Sequence, residues 1–234
     1  MRIMAFAAHP DDELTCAGTL AKYKDNGHDV GIVIATNGEV GSSTLSKQEI
    51  AALRKKEAEN SASVIGAEFF WLNYPDEFLF NTKEVRLHFI DIIRGFKPDI
   101  IICHDKDMDY HPDHTTTGQI VWDVHVMVTV PNIKTKNPPC ITIPEIYFMD
   151  TAAGVNFQPE FYVDISGQWD KKAKMYSCHT SQEEWMLSQY NVSFVEFGRI
   201  QAIYRGFQAG SIYAECFRKA KFFPGGVKVN SLLL

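Results

Sequence analysis

Short apolar runs alternate with amphipathic stretches through the first half of the chain. Four runs rich in Ile, Val, Phe and Ala lie at residues 3–8, 30–35, 69–72 and 99–103. Three stretches with a helix-like spacing of apolar positions lie between them, at residues 13–26, 47–65 and 83–96. Apolar runs of this length, bounded by turn residues, are typical of buried strands. The alternation predicts an α/β fold in which helices cover both faces of a mostly parallel sheet.

The second half of the chain has a less regular pattern. Residues 130–144 are rich in Pro, Thr, Asn and Lys, which indicates a long surface loop with a substrate lid as its expected role. Residues 145–149 predict a further strand, and residues 169–178 and 200–217 predict helices. Because the sequence shows no repeat and no linker, we expect residues 1–234 to form one domain around a single core.

Composition and charge restrict the partners and the compartment. The formal net charge of -6 predicts no basic surface for nucleic acid and no attraction to an anionic membrane. The five cysteines include no CxxC pair, which argues against a disulfide framework or a thiolate zinc site and favours a reducing compartment. The apolar stretch before His9 is too short for a secretory signal or a membrane span. We therefore expect a cytoplasmic protein.

One histidine and three carboxylates are crowded into the turn after the first predicted strand. This segment, His9–Glu13, reads HPDDE. Its acidic residues could simply cap the helix that follows, because carboxylates satisfy free N–H groups and suit the positive end of the helix dipole. Capping accounts for one aspartate, but it does not account for the histidine.

A second polar cluster follows the fourth predicted strand. It reads HPDH over His111–His114, and Asp105, Asp107 and Asp109 come shortly before it. Both clusters should meet at one edge of the sheet, since ligands of α/β proteins bind at the carboxyl ends of the strands. Two histidines and a carboxylate form a normal catalytic zinc shell, and non-haem iron uses the same ligand types. The two clusters together predict a metal site.

At these residues the chain resembles the LmbE/PIG-L family of metal-dependent de-N-acetylases, whose signatures are a (P/A)HPDDE motif and an HPDH motif. Similar segments also occur at Arg54–Glu57, His179–Gln182 and Tyr213–Phe217. The resemblance implies the three-layer Rossmann-like fold of that family. It also implies hydrolysis of the N-acetyl group of an N-acetylglucosamine-type sugar or conjugate. Family members are often multimers, so we expect a homo-oligomer, with the loop after Val130 as a candidate contact.

The resemblance also implies roles for individual residues. The implied ligands of Zn²⁺, with Fe²⁺ as the alternative metal, are His9, Asp12 and His114. Asp11 is implied as the general base that takes a proton from the attacking water. His111 is implied as the group that stabilises the transition state, in its protonated form.

Two further residues receive an expected role. Asp113 is expected to orient His111 and to favour its charged form. Arg54 is a candidate contact to sugar hydroxyls or a phosphate, and a solvated position on a helix face is the equal alternative. The roles of His179, Asp107 and Asp109 stay open between support of the site, contact with substrate and ordinary loop positions.

Other functions fit part of the pattern. An amidase for a non-sugar N-acyl compound would use the same residues. A non-catalytic sugar- or metal-binding module would need neither Asp11 nor His111. A nucleotide-binding protein is not supported, because no glycine-rich GxGxxG turn follows the first strand, and the absence of HExxH argues against a peptidase of the zincin type.

Overall fold

The apolar runs of the sequence become strands of one sheet in the computed structural model, which describes residues 1–222. The strands are β1 (Arg2–Ala7), β2 (Asp29–Thr36), β3 (Glu68–Tyr74), β4 (Ile100–Cys103), β5 (Glu145–Met149), β6 (Phe161–Asp164) and β7 (Ala214–Lys219). Their order in the sheet is β3-β2-β1-β4-β5-β7-β6. Strands β1 to β5 are parallel to one another, whereas β7 is antiparallel to both β5 and β6. The predicted mostly parallel sheet is confirmed.

Helices cover both faces of this sheet, as predicted. They are α1 (Ala17–Asp25), α2 (Lys47–Val64), α3 (Lys83–Phe96), α4 (Pro112–Val124), α5 (Trp169–Tyr176), α6 (Thr180–Tyr190) and α7 (Phe194–Ala209). Strand β1 shows why two layers form, because Ile3 and Ala5 enter one core while Met4 and Phe6 enter the other. Helices α1, α2, α5 and α7 pack into the first core, and α3 and α4 into the second. None of the helices in residues 1–222 is long and apolar enough to span a bilayer.

The prediction of one helix over residues 200–217 is wrong. Helix α7 ends at Ala209, and Gly210 adopts the positive φ of 73° that commonly ends a helix. The later residues form β7, because they pair with both β5 and β6 and complete the sheet. Neither α6 nor β6 is predicted from the sequence, and each buries only one side chain, that of Met186 and Val163 respectively.

Residues 130–144 form a long loop, as predicted, but the expectation of a substrate lid is wrong. The loop joins the end of α4 to the start of β5 and therefore lies at the amino edge of the sheet. The buried guanidinium of Arg94 donates to the carbonyl oxygens of Val130 and Ile133, both at 2.8 Å. These contacts hold the loop against α3, at the edge opposite to the predicted site.

Candidate metal centre and active site

Two turns at the carboxyl edge of the sheet carry the predicted site residues. In the turn after β1, the N–H of His9 donates to Asp12 Oδ2 at 2.7 Å. Asp11 in this turn has a φ of 129°, which is strained for a residue with a side chain. In the second turn, His111 is the N-cap residue of α4 and Pro112 occupies the first helical turn. The two turns lie side by side, since β1 and β4 are neighbours in the sheet.

The three predicted metal ligands come together. His9 Nδ1 lies 3.1 Å from Asp12 Oδ2 and 3.1 Å from His114 Nε2. Asp12 Oδ2 and His114 Nε2 are 3.2 Å apart. Ligand atoms around a tetrahedral zinc ion lie about 3.3 Å from one another, given metal–ligand distances of about 2.0–2.1 Å. The donor types and spacing therefore fit a catalytic zinc shell with one open position.

Asp109 orients His114 from behind. Its Oδ2 lies 3.0 Å from His114 Nδ1, so the other ring nitrogen is turned toward Asp12. Burial alone would raise the pKa of Asp109, but hydrogen bonds with His104 and His114 outweigh it and hold the pKa below its usual value. A carboxylate behind a metal-binding histidine is the common arrangement that fixes its tautomer. Asp109 is thus neither a solvated loop residue nor a contact to substrate.

His104 belongs to the site although no motif singles it out. It directly follows β4, its Nε2 accepts a hydrogen bond from the N–H of Ala8 at 3.1 Å, and Asp12 Oδ2 is 3.3 Å away. Its ring stacks on His114, with centroids 4.0 Å apart. Because the N–H of Ala8 occupies the Nε2 lone pair, His104 supports the ligands instead of joining them. In the sequence, its position directly after the predicted strand at residues 99–103 was the indication that His104 lies near the site.

The carboxylates of Asp76 and Asp113 lie close to Nε2 of His9. The position of Asp113 contradicts the role expected for it from the sequence. His9 Nε2 is 3.2 Å from Asp76 Oδ1 and 3.3 Å from Asp113 Oδ2, although neither oxygen is aligned for a hydrogen bond with the ring nitrogen. Asp113 Oδ2 also accepts a hydrogen bond from the N–H of Glu77 at 2.8 Å. The expectation that the Asp113 carboxylate orients His111 is therefore wrong, because this carboxylate supports His9 and the loop after β3.

His111 is held as a neutral donor. Its Nδ1 accepts the N–H of Asp113 at 3.2 Å, which places the ring proton on Nε2, 3.3 Å from Glu77 Oε1. Burial lowers the pKa of His111, and the neighbouring His114 and His9 lower it further. The expected charged form needs a proton on Nδ1, the atom that accepts the N–H of Asp113 here. A neutral ring still presents one N–H at Nε2.

Arg54 is buried, so the alternative of a solvated position on a helix face is wrong, whereas a contact to substrate stays a prediction. Its guanidinium is buried and donates to Asp11 Oδ2 at 3.2 Å and to Gln182 Oε1 at 3.1 Å. Gly38 and Gly41 lie so close that a Cβ atom on either would come within 2.8 and 2.7 Å of the Arg54 side chain. Burial raises the pKa of Asp11 to about 6, although the positive charge of Arg54 acts to lower it. Arg54 is a partner of Asp11.

The carboxylate of Glu13 holds the strained backbone of Asp11 in place. Its Oε2 accepts the N–H of Asp11 at 3.0 Å, and its Oε1 accepts the hydroxyl of Ser61 at 2.7 Å. His179 Nε2 lies 2.8 Å from the same Oε1, and both side chains are almost completely buried. His179 therefore acts on Asp11 through Glu13, which makes it a structural support of the site.

A cavity of about 480 Å³ opens beside Asp11 and Asp12. Its walls come from α5, α6 and α7 and from the turns after β4 and β5. The site therefore has two parts. The polar residues can hold a divalent metal and transfer protons, and the adjacent cavity can hold a ligand.

Comparison with known proteins gives the same family for the chain as the two motifs. The sequence profile described as PIG-L, GlcNAc-PI de-N-acetylase, matches residues 4–125. The diacetylchitobiose deacetylase of Thermococcus kodakarensis is 28% identical over 239 residues, which cover 96% of this chain and 84% of that protein.

Solved structures agree on the fold but differ in reaction. The N,N'-diacetylchitobiose deacetylase of Pyrococcus horikoshii matches with a TM-score of 0.82 at 30% identity, covering 94% of this chain and 83% of that one. The 4-carboxy-2-hydroxymuconate hydratase of Pseudomonas putida also reaches 0.82, at 20% identity, covering 94% of this chain and 96% of that one. The fold alone therefore does not decide the reaction, and the residues of the site must.

Proposed function

The chain belongs to the PIG-L family of GlcNAc-PI de-N-acetylases, and from this we propose that it is a zinc-dependent hydrolase that removes the acetyl group from an N-acetylglucosamine-type sugar or conjugate. The observation that carries the proposal is the convergence of His9, Asp12 and His114, with donor atoms 3.1–3.2 Å apart. Asp11 and His111 lie beside these residues. A site that only bound metal would need neither of them.

The residues of the site divide the reaction between them. Zinc, when bound by His9, Asp12 and His114, supplies Lewis acidity that lowers the pKa of a water to about 7 and polarises the acyl carbonyl. Asp11 takes the proton of the attacking water. Its Oδ1 is the acceptor in this scheme, because Oδ2 already accepts from Arg54.

The proton then moves from Asp11 to the amide nitrogen, and the C–N bond breaks to leave acetate and a free amine. A pKa of about 6 suits this double task, since a group near the working pH both accepts and releases a proton readily. His111 donates its Nε2–H to the oxygen on which negative charge develops. Glu77, 3.3 Å from that nitrogen, must give way when the oxygen arrives. One such donor typically contributes about 3–4 kcal/mol to the transition state.

A metal-replacement assay on the whole protein tests the proposal. The protein is stripped with a chelator, reloaded with zinc or iron(II), and assayed for acetate release from N-acetylglucosamine, its β-1,4-linked dimer and N-acetyl amino acids. We expect release from the sugars only, restored by zinc. Release without any metal would refute the metal-dependent mechanism, whereas release from the amino acids alone would favour a non-sugar amidase.

We further propose a cytoplasmic location and a homo-oligomeric state. The five cysteines are all free, which is consistent with a reducing compartment. An apolar stripe on α7 supports self-association and consists of Ile200, Ile203, Tyr204 and Phe207, all at least 37% exposed. We call these four residues the α7 stripe.

A further inference from the structure

The cavity beside Asp11 and Asp12 is much larger than an acetyl group requires. Its volume is about 480 Å³. Cavities of about 300–1,000 Å³ are typical of sites that enclose whole ligands. If a substrate carbonyl lies between Asp12 and His111, most of this space remains for other parts of the substrate.

The wall of the cavity is mainly apolar. Helices α5, α6 and α7, together with the turn between α6 and α7, contribute the side chains of Tyr176, Met186, Val192, Phe194, Phe197 and Ala202. Three exposed aromatic residues, Tyr110, Trp185 and Tyr190, stand at its outer side, and the rings of Trp185 and Tyr190 are 5.4 Å apart. Such a wall offers dispersion and hydrophobic contacts to a ligand, with few hydrogen bonds.

Away from Asp11 and Asp12, the charged residues that reach the cavity are paired with one another. Arg205 donates to both oxygens of Asp150, at 2.7 and 2.8 Å. Lys172 donates to Glu215 at 2.6 Å, and both of these side chains are at least 95% buried. A sugar hydroxyl that took the place of either partner would disturb a buried ion pair, which is unfavourable. An apolar group meets no such obstacle.

We propose that this cavity binds an apolar group of the substrate, either aliphatic or aromatic. The group is attached to one of two positions of an N-acylated glucosamine, the acyl carbon or the anomeric oxygen. This inference rests on the proposed function and names its substrate class, a hydrophobic N-acyl glucosamine or hydrophobic glycoside. Each methylene buried in the cavity should raise kcat/KM about fourfold.

Two substrate series separate the two attachment points. The first compares N-acetyl-, N-butanoyl- and N-hexanoylglucosamine, and the second compares the methyl and phenyl β-glycosides of N-acetylglucosamine. We expect kcat/KM of the zinc-loaded protein to rise at least tenfold along one series. A rise in the first assigns the cavity to the acyl chain, and a rise in the second assigns it to the aglycone. Hydrolysis of the short substrates with no rise along either series would overturn the proposal.

A cavity-filling variant tests the location. Val192→Trp places a large side chain into the cavity from a turn between α6 and α7. The ratio of kcat/KM between the long and short substrates should fall toward one, and a ratio within one variant is independent of the folded fraction. Ile212→Trp, in the exposed turn between α7 and β7, is the matched control and should keep the wild-type ratio. An unchanged ratio in Val192→Trp would overturn the assignment to this cavity.

A binding measurement keeps this inference separate from the proposed function. Trp185 lines the cavity, so tryptophan fluorescence can follow titration with hexanoate against acetate, and with the phenyl against the methyl glycoside. We expect at least tenfold tighter binding of the apolar member of one pair. If no compound is hydrolysed but this preference is found, the proposed function fails and the apolar cavity stands. If acetyl sugars are hydrolysed and neither pair shows a preference, only the cavity proposal fails.

Discussion

Asp11 combines a strained backbone with a buried carboxylate next to the candidate metal ligands. Its φ of 129° and its contacts with Glu13 and Arg54 place a reactive group where no relaxed turn would put it. Strain of this kind persists only where surrounding contacts hold it, and it is concentrated at functional sites. Substitutions at Asp11 and at its partners should therefore alter the reaction before they alter the fold.

Asp11→Asn should abolish most turnover while zinc remains bound. The amide keeps the shape of the side chain but cannot accept the proton, so we expect kcat to fall about 100- to 10,000-fold. Acetate release, combined with metal analysis of the variant, checks this. A near-normal rate with bound zinc would contradict the base assignment.

The pH profile of the native protein tests the same role. A general base works only when it is deprotonated, and burial raises the pKa of Asp11 to about 6. The rate constant kcat/KM should therefore rise as the pH increases through about 6 and then level off. The rise should be missing from the residual activity of Asp11→Asn.

Arg54→Met distinguishes a partner of Asp11 from a contact to substrate. The positive charge of Arg54 lowers the pKa of Asp11, so its removal should shift the rise in kcat/KM to a higher pH. Lys55→Met, an exposed neighbour on α2, is the control and should leave the profile unchanged. A higher KM with an unshifted profile would instead support the substrate contact expected from the sequence.

At the scale of elements, one buried carboxylate joins a strand to two helices. Glu215 of β7 accepts the N–H groups of Gly18 and Thr19 in the first turn of α1, at 2.8 and 2.7 Å. It also accepts a hydrogen bond from the ammonium group of Lys172 in α5, at 2.6 Å. The carboxylate satisfies free N–H groups at a helix start and suits the dipole there. This contact links the antiparallel end of the sheet to the helices behind the site.

Lys172→Met should destabilise the protein strongly, because it leaves Glu215 with an unpaired buried charge. We expect a loss of about 3–5 kcal/mol in the free energy of unfolding. The adjacent Lys171→Met is the control, since Lys171 pairs with Asp25 at the surface, where a pair contributes at most about 1 kcal/mol. Urea unfolding of the two variants measures the difference. Equal losses would contradict the role given to Lys172.

At the scale of the whole molecule, the α7 stripe predicts how copies of the chain associate. Its residues recur at spacings of three and four, so they lie on one side of the helix, and Phe207 is 86% exposed. Phe207→Glu should reduce the oligomer to a smaller species in size-exclusion chromatography with light scattering.

Ile141→Glu provides the comparison, because Ile141 is fully exposed on the 130–144 loop. If this variant dissociates while Phe207→Glu does not, the loop is the contact, as first expected from the sequence. A monomeric native protein would contradict the oligomer altogether.

Residues whose type is dictated by chemistry could be read from the sequence alone. Metal coordination restricts the ligand side chains to a few types, and the turn after a buried strand restricts where they can stand. Several residues of the two motifs meet both conditions, and the family resemblance singled out His9, Asp12 and His114, which the sheet brings together. The parallel orientation of β1 to β5 was equally accessible, because alternating strands and helices favour parallel strands.

The partners of these residues were decided only by the tertiary structure. Asp76 and Asp113 meet at His9, and Arg54 meets Asp11, because helices α2 and α4 pack against the turns after β1 and β3 at one edge of the sheet. No spacing along the chain encodes such contacts. The same holds for β7, where a segment that mixes apolar and charged residues suits a helix or a strand until β5 and β6 offer it hydrogen bonds. Local chemistry thus determined which residues could react, and long-range packing determined their orientation, their charge and the space beside them.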